Sequence, residues 1–234
     1  MLWWAVLAGF VVLVHTAPFR FVLDHEPASV WHMPTTGIPT VYLTFDDGPN
    51  PTATPALLDT LTAHDVKATF FIIDRHVTDT TAPIVRRAFD EGHAVALHSH
   101  TRWLMLKSPR GFVETLDAAA ARMEALTGYA PCRAFRPHGG NRSIPMLIGA
   151  SRAGYRVVGW GWMLWDVNPF GRRTADAIVP RILERVSDGD IIVIHDGHHA
   201  DPRADRRYAI DTVDRLIPAL RAKGYRFGTV CPRG

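Results

Sequence analysis

Two adjacent carboxylates, Asp46 and Asp47, close the β-forming run Val41-Tyr42-Leu43-Thr44-Phe45, and the chain breaks at once at Gly48-Pro49-Asn50. Neighbouring side chains on a strand point to opposite faces, so a carboxylate pair at a strand end can take two roles, one on a metal ion and one on a reacting water. The same residues also suit a solvated turn with a capping Asp. Other apolar runs end in the same manner. Asp74 follows residues 68–73, and His98-Ser99-His100 ends the run from Ala94. Arg136-Pro137-His138 follows Phe135, a cluster from Trp160 to Asp166 follows residues 156–159, and His195-Asp196-Gly197 follows Ile194. Any one of these histidines alone reads as structural or solvated. Together they argue for a single site with a metal and acid–base chemistry. One carboxylate plus imidazoles suits zinc or a similar divalent ion. No Gly-rich phosphate loop follows a strand, and no Ser occupies a Gly-x-Ser-x-Gly elbow, which disfavours nucleotide chemistry and a serine esterase.

These strand ends need elements to hold them. Short apolar runs at 41–45, 68–73, 94–98, 135–137, 156–160, 190–194 and 227–230 read as buried strands. They alternate with helical patterns over 55–64, 82–92, 111–127, 143–153, 174–186 and 210–223, several of them stopped by Gly. Thr54 is the candidate N-cap of the first helix. Strand–helix alternation of this kind predicts a parallel sheet covered by helices, either an α/β barrel or an open doubly wound sheet. In both, catalytic groups gather at the C-terminal ends of the strands.

The chain has 234 residues, 47% hydrophobic, with a formal net charge of +3. That length carries one sizeable core, and the charge gives no reason to expect nucleic acid. Residues 1–17 form an apolar stretch without charge, shorter than the roughly 20 residues of a spanning helix. They read as an export signal or a membrane anchor, which would place the chain outside the cytoplasmic membrane or on its outer face. Residues 18–39, rich in Pro, read as a linker or extended arm, and 40–234 as the domain. Of the two cysteines, Cys132 precedes one strand and Cys231 follows the last. Those places lie at opposite ends of a parallel barrel, so two separate thiols are expected.

The motifs have a familiar order. Thr44-Phe45-Asp46-Asp47-Gly48-Pro49, Glu91-Gly92-His93 with His98-Ser99, Phe135-Arg136-Pro137, Ile192-Val193-Ile194-His195-Asp196-Gly197 and Lys223-Gly224-Tyr225-Arg226-Phe227 resemble, in sequence, motifs of the polysaccharide deacetylases of the NodB-homology type (carbohydrate esterase family 4). The resemblance spans residues 40–230. It implies a distorted (β/α)7-8 barrel and metal-dependent hydrolysis of N-acetyl groups from amino sugars in a polysaccharide or cell-envelope glycan, with Zn2+, or Co2+ or a similar ion, as cofactor. By the same resemblance Asp47 and His98 ligate the metal, Asp46 is the general base, and Arg136 holds Asp46 ionised. His195 is the general acid, oriented by Asp166. Ile192 and Ile194 shape the acetyl pocket, and the backbone at Gly139 helps stabilise the oxyanion. A catalytically silent glycan-binding module on the same fold, or a deacetylase of a small or lipid-linked amino sugar, are the alternatives.

Three motifs depart from the pattern. The second normally carries His-Ser/Thr-x-x-His, but that register puts Arg102 where a ligand belongs. Shortening the loop by two residues makes His100 the second imidazole, the preferred reading, with His138 a further candidate. The third motif reads Arg136-Pro137-His138-Gly139-Gly140 and lacks the usual aromatic wall, for which Trp160, Trp162, Trp165 or Trp103 would substitute. The fourth keeps only Asp166.

Overall fold

The computed structural model describes residues 28–35, 37–160 and 173–231. Eight strands form its sheet: β1 (Ser29–Val30), β2 (Thr40–Gly48), β3 (Thr69–Ile73), β4 (Ala94–His98), β5 (Ala134–Arg136), β6 (Arg156–Val158), β7 (Ile191–His195) and β8 (Arg226–Phe227). Helices α1 (Ala53–Ala63), α2 (Ala82–Asp90), α3 (Pro109–Thr127), α4 (Ile144–Arg152), α5 (Ala175–Arg185) and α6 (Arg207–Ala222) lie between them. The strand order is β1-β6-β5-β4-β3-β2-β7, with β8 on the first residues of β2, and every strand pair is parallel. The expected distorted (β/α) barrel is thus present as a curled parallel sheet with helices outside.

The arm expected at residues 18–39 is, from Ala28 on, part of this sheet. Val157 and Gly159 donate their N–H groups to Ala28 and Val30, and the chain then crosses to the other edge. There His32 bridges Asp190 and Met33 donates to Gly189, so the arm spans the gap between β6 and β7. Residues 1–17 lie outside the described residues. Among the described residues, no helix is long and apolar enough to cross a membrane.

Alternation decides which side chains face the barrel interior. Tyr42, Phe71, Ala96, Ala134, Val158 and Ile191 form an inner apolar floor. The intervening residues Leu43, Phe45, Phe70, Leu97, Phe135, Ile192 and Ile194 pack outward against the helices in the main core. The parity that puts Tyr42, Ala96, Ala134 and Ile191 inside carries Asp46, His98, Arg136 and His195 to the same interior, at the opposite end. Register completes the arrangement, because Asp46 is paired with His195 and His98 with Arg136.

Cys132 and Cys231 are joined in a disulfide, with Cα atoms 6.4 Å apart, which corrects the expectation of two separate thiols. The reason lies in β8, which is only two residues long and pairs with the start of β2 rather than running up the barrel. Beyond Gly228 the chain crosses beneath the sheet. Val230 donates its N–H to Thr69 at the start of β3 and accepts from Arg156, and this brings Cys231 under β5.

The first helix is also capped differently from the expectation. Asn50 Oδ1 accepts from the N–H groups of Thr52 and Ala53, the work of an N-terminal cap, while Thr54 sits inside the helix and turns its hydroxyl elsewhere.

Candidate active site

On a regular strand Asp46 and Asp47 would point apart. Here β2 slips register against β3 between Asp46 and Gly48, and Asp47 has φ 70°, in the left-handed region that Asp tolerates better than most residues. This bulge turns the second carboxylate back toward the first. It needs a close neighbour without a side chain, since a Cβ on Gly197 would lie 2.0 Å from the Asp47 carbonyl oxygen.

Asp46 and Arg136 form a buried pair. Arg136 Nη1 donates to Asp46 Oδ1 at 2.5 Å and to Thr44 Oγ1 at 2.9 Å, Nε and Nη2 donate to the carbonyls of Val158 and Gly159, and the guanidinium lies over the Phe71 ring. Burial works against the guanidinium's charge and Asp46 works for it. A buried charge held by this many donors and acceptors is fixed in direction as well as ionised. It leaves Asp46 Oδ2 as the oxygen not used by Arg136.

Asp47 faces two imidazoles. His98 Nε2 lies 3.2 Å from Asp47 Oδ1, and His98 Nδ1 lies 2.7 Å from the Arg136 carbonyl oxygen. A carbonyl only accepts, so Nδ1 donates to it, and Nε2 is the ring nitrogen turned to the carboxylate. Despite the 3.2 Å approach, Asp47 Oδ1 is buried without a hydrogen-bond partner. His138 supplies a third donor atom, and the three ligand atoms lie within 4.8 Å of one another. Burial alone would raise the Asp47 carboxyl, but the adjacent imidazoles of His98, His195 and His138 outweigh it and hold the group below the usual carboxylate range. Burial, with His98 and His199 nearby, pushes the His138 imidazole down to about 4, so it is neutral near pH 7, the form that binds a metal. Converging lone pairs on an orphaned buried carboxylate oxygen and two imidazoles fit a divalent cation.

A cavity of about 270 Å³ opens over these groups. Asp46, Asp47, His98, His138, Gly139, Trp160 and His195 line it, so it brings together most of the residues expected from the sequence. Gly139 has φ 59°, and Trp160 is edge-on to Trp31 at 5.5 Å between ring centroids. Three expectations are not met there. His100 does not join the ligand cluster, because the chain after β4 turns it into a neighbouring pocket with Leu97, Trp103 and Leu104, and His138 from the loop after β5 stands in the cluster instead. Arg102, the other register's candidate, is exposed, with its guanidinium 5.9 Å from the Trp103 ring. Ile192 and Ile194 do not reach the cavity. With His195 inward, parity sends them outward to the helices, and Val193 is the inner residue, packed with Trp31 and Trp160. Asp166, Trp162 and Trp165 lie outside the described residues.

The polysaccharide deacetylase family profile matches residues 34–158. The chain is 38% identical over 196 residues to a chitooligosaccharide deacetylase of Sinorhizobium fredii, covering 81% of this chain and 89% of that protein. It is 30% identical over 190 residues to a peptidoglycan-N-acetylglucosamine deacetylase of Bacillus cereus, covering 81% and 85%. The solved Bc1960 peptidoglycan N-acetylglucosamine deacetylase superposes with a TM-score of 0.75 at 30% identity, over 91% of this chain and 94% of that one. This chain belongs to the polysaccharide deacetylase family.

Several residues around this deacetylase site were given no role from the sequence, Asp196 among them although it stands in the His195-Asp196-Gly197 motif. Asp196 is fully buried on the outer face of β7, where Thr54 Oγ1 donates to its Oδ2 at 2.5 Å and its Oδ1 has no hydrogen-bond partner. Burial, helped by Asp46 and Asp47, pushes its carboxyl up to about 7. His198, His199, Arg173 and Arg206 line the cavity from the chain on either side of β7. The His199 ring lies 4.6 Å from that of His138, and Arg206 Nε donates to the Gly197 carbonyl at 2.6 Å. The run Gly197-His198-His199 directly after a strand-end His was the available signal for two of them.

Proposed function

We propose that this deacetylase removes N-acetyl groups from amino sugars of an oligosaccharide or cell-envelope glycan, with a divalent cation held by Asp47, His98 and His138. The observation that carries this reading is the unpartnered, buried Asp47 Oδ1 facing Nε2 of His98, next to a carboxylate locked by Arg136. Chitooligosaccharide and peptidoglycan relatives supply the substrate class. Zn2+ suits the one-carboxylate, two-imidazole set, and Co2+ shares its geometry.

A divalent cation held by Asp47, His98 and His138 would supply Lewis acidity toward the acetamide carbonyl and raise the acidity of nearby water. Asp46 accepts at Oδ2 the proton of the water that attacks the acetamide carbon, while Arg136 on Oδ1 aims the carboxylate. His195, paired with Asp46 across β2 and β7, donates a proton to the departing amine nitrogen. Trp160 and the backbone at Gly139 shape the cavity that receives the acetamide and exclude water from it. Residues 1–17 export the chain or hold it on the outer face of the membrane, and the Cys132–Cys231 disulfide favours such an oxidising location.

The test is acetate release from N-acetylglucosamine oligomers and from peptidoglycan by the purified protein, before and after chelation and with Zn2+ or Co2+ restored. Release that vanishes on chelation and returns with the ion is expected. A folded protein that binds no divalent ion and releases no acetate overturns the reading in favour of a silent glycan-binding module.

A further inference from the structure

We propose that a second pocket beside the catalytic cavity binds an apolar alkyl or aryl group carried by the amino-sugar substrate; the proposal rests on the deacetylase reading above. The pocket has a volume of about 250 Å³ and lies between the outer face of β4 and β5 and helix α3. Its walls are Leu97, Leu104, Leu116, Ala119 and Phe135, and Trp103, 64% exposed, stands at its edge.

Strand register ties the two cavities together. Leu97 is paired with Phe135, and the next pair along the same two strands is His98 with Arg136. Successive residues face opposite sides of the sheet, so the apolar pair lines the second pocket while the following pair lies at the metal and base sites. His98 lines both cavities, and Ser99 and His100 form the rim between them. A substituent a few bonds from the reacting acetamide crosses this rim to reach the apolar walls.

The chemistry of the lining selects the occupant. A sugar ring brings hydroxyls that need partners, since an unpaired buried hydroxyl is costly. Several of the polar groups at this pocket are already committed to the protein. Lys107 Nζ donates to Thr115 Oγ1 at 2.6 Å, and Asp74 Oδ2 accepts from Arg122. The apolar walls of Leu97, Leu104, Leu116, Ala119 and Phe135 reward each methylene taken out of water.

The test compares an N-acetylglucosamine oligomer with its octyl glycoside and with the oligomer one sugar longer, using the metal-loaded protein. We expect kcat/KM at least about tenfold higher for the octyl glycoside, carried by a lower KM. Ala119→Phe, which fills the pocket, brings that ratio close to one. Leu104→Ala, which enlarges it, moves the preference to longer alkyl chains and serves if Ala119→Phe does not fold by thermal melting. Calorimetric titration with octyl glucoside, which has no acetamide, reads the pocket without turnover and loses its signal in Ala119→Phe. Equal kcat/KM for oligomer and octyl glycoside overturns the proposal. So does an octyl advantage that survives filling, or a gain from the extra sugar that filling removes. If no substrate is deacetylated while octyl glucoside still binds the wild type alone, the deacetylase reading fails and the pocket stands.

Discussion

The two ends of the barrel are built from opposite chemistry. At the C-terminal mouth Asp46, Asp47, Asp196, Arg136 and His98 are all buried, and two of their carboxylate oxygens have no hydrogen-bond partner. At the N-terminal floor Tyr42, Phe71, Ala96, Ala134, Ile191 and Val230 pack as an apolar cluster under which Cys132 and Cys231 are covalently joined. Buried charge costs stability unless it is paired, and an unpartnered oxygen costs more. The floor and the outer core must offset what the mouth spends. Changes at the mouth should therefore act on rate and metal binding as well as on stability, and changes at the floor on stability alone.

The largest effect that would sharpen this division is at Asp46. Asp46→Asn keeps an oxygen to accept from Arg136 but cannot take a proton and leaves the buried guanidinium without its counter-charge, so kcat should fall by about 10²–10⁴-fold and the melting temperature should fall with it. An unchanged kcat in the protein that stays folded would break the division. At the other end, replacing both cysteines by Ser opens a link between positions separated by 99 residues and should cost about 4–5 kcal/mol in denaturant unfolding. The kcat of the protein that remains folded should not change. A reduced kcat would break the separation of the two ends.

Asp196 gives a pH test in the metal-free protein. Its folded carboxyl is raised from 3.8 to about 7, so across that window the folded chain holds a proton that the unfolded chain has lost. Its contribution to stability therefore falls as pH rises from about 4 to 7, by on the order of 4 kcal/mol, and is flat above. His93 and His138, both lowered to about 4, act in the opposite sense, adding stability as pH rises toward 6.5. Asp196→Asn isolates the first contribution: the stability of wild type relative to the variant should decline over pH 4–7. A difference that stays constant with pH would contradict it. The smallest effect is expected at His100, outside the ligand cluster, where an Ala variant should keep its metal within a few-fold.

Much of the mouth was legible because strand ends announce themselves. Apolar runs terminating in Asp, His or Arg, read with a parallel topology, place those groups together without any knowledge of distance. Parity was equally available for Ile192 and Ile194: counting back from an inward His195 sends both outward. The exchange of His100 for His138 was not legible, since it depends on how two loops fold over the rim. The bulge at Asp47 was hidden for the same reason, because a strand that extends by one unpaired residue looks like any other strand in sequence. The disulfide escaped because a final strand of two residues lets the chain pass beneath the sheet, whereas a longer strand would have carried Cys231 away from Cys132. Asn50 and Thr54 both have capping side chains, and only the packing of Asp196 against α1 decides that Thr54 serves the carboxylate.

The central claim is that the third ligand comes from the loop after β5. It is tested most directly by measuring Zn2+ affinity, by competition with a chelator, for His138→Ala and His100→Ala side by side. The account predicts a loss of at least about 100-fold for His138→Ala and little change for His100→Ala. Loss of affinity in His100→Ala with His138→Ala unaffected would contradict it.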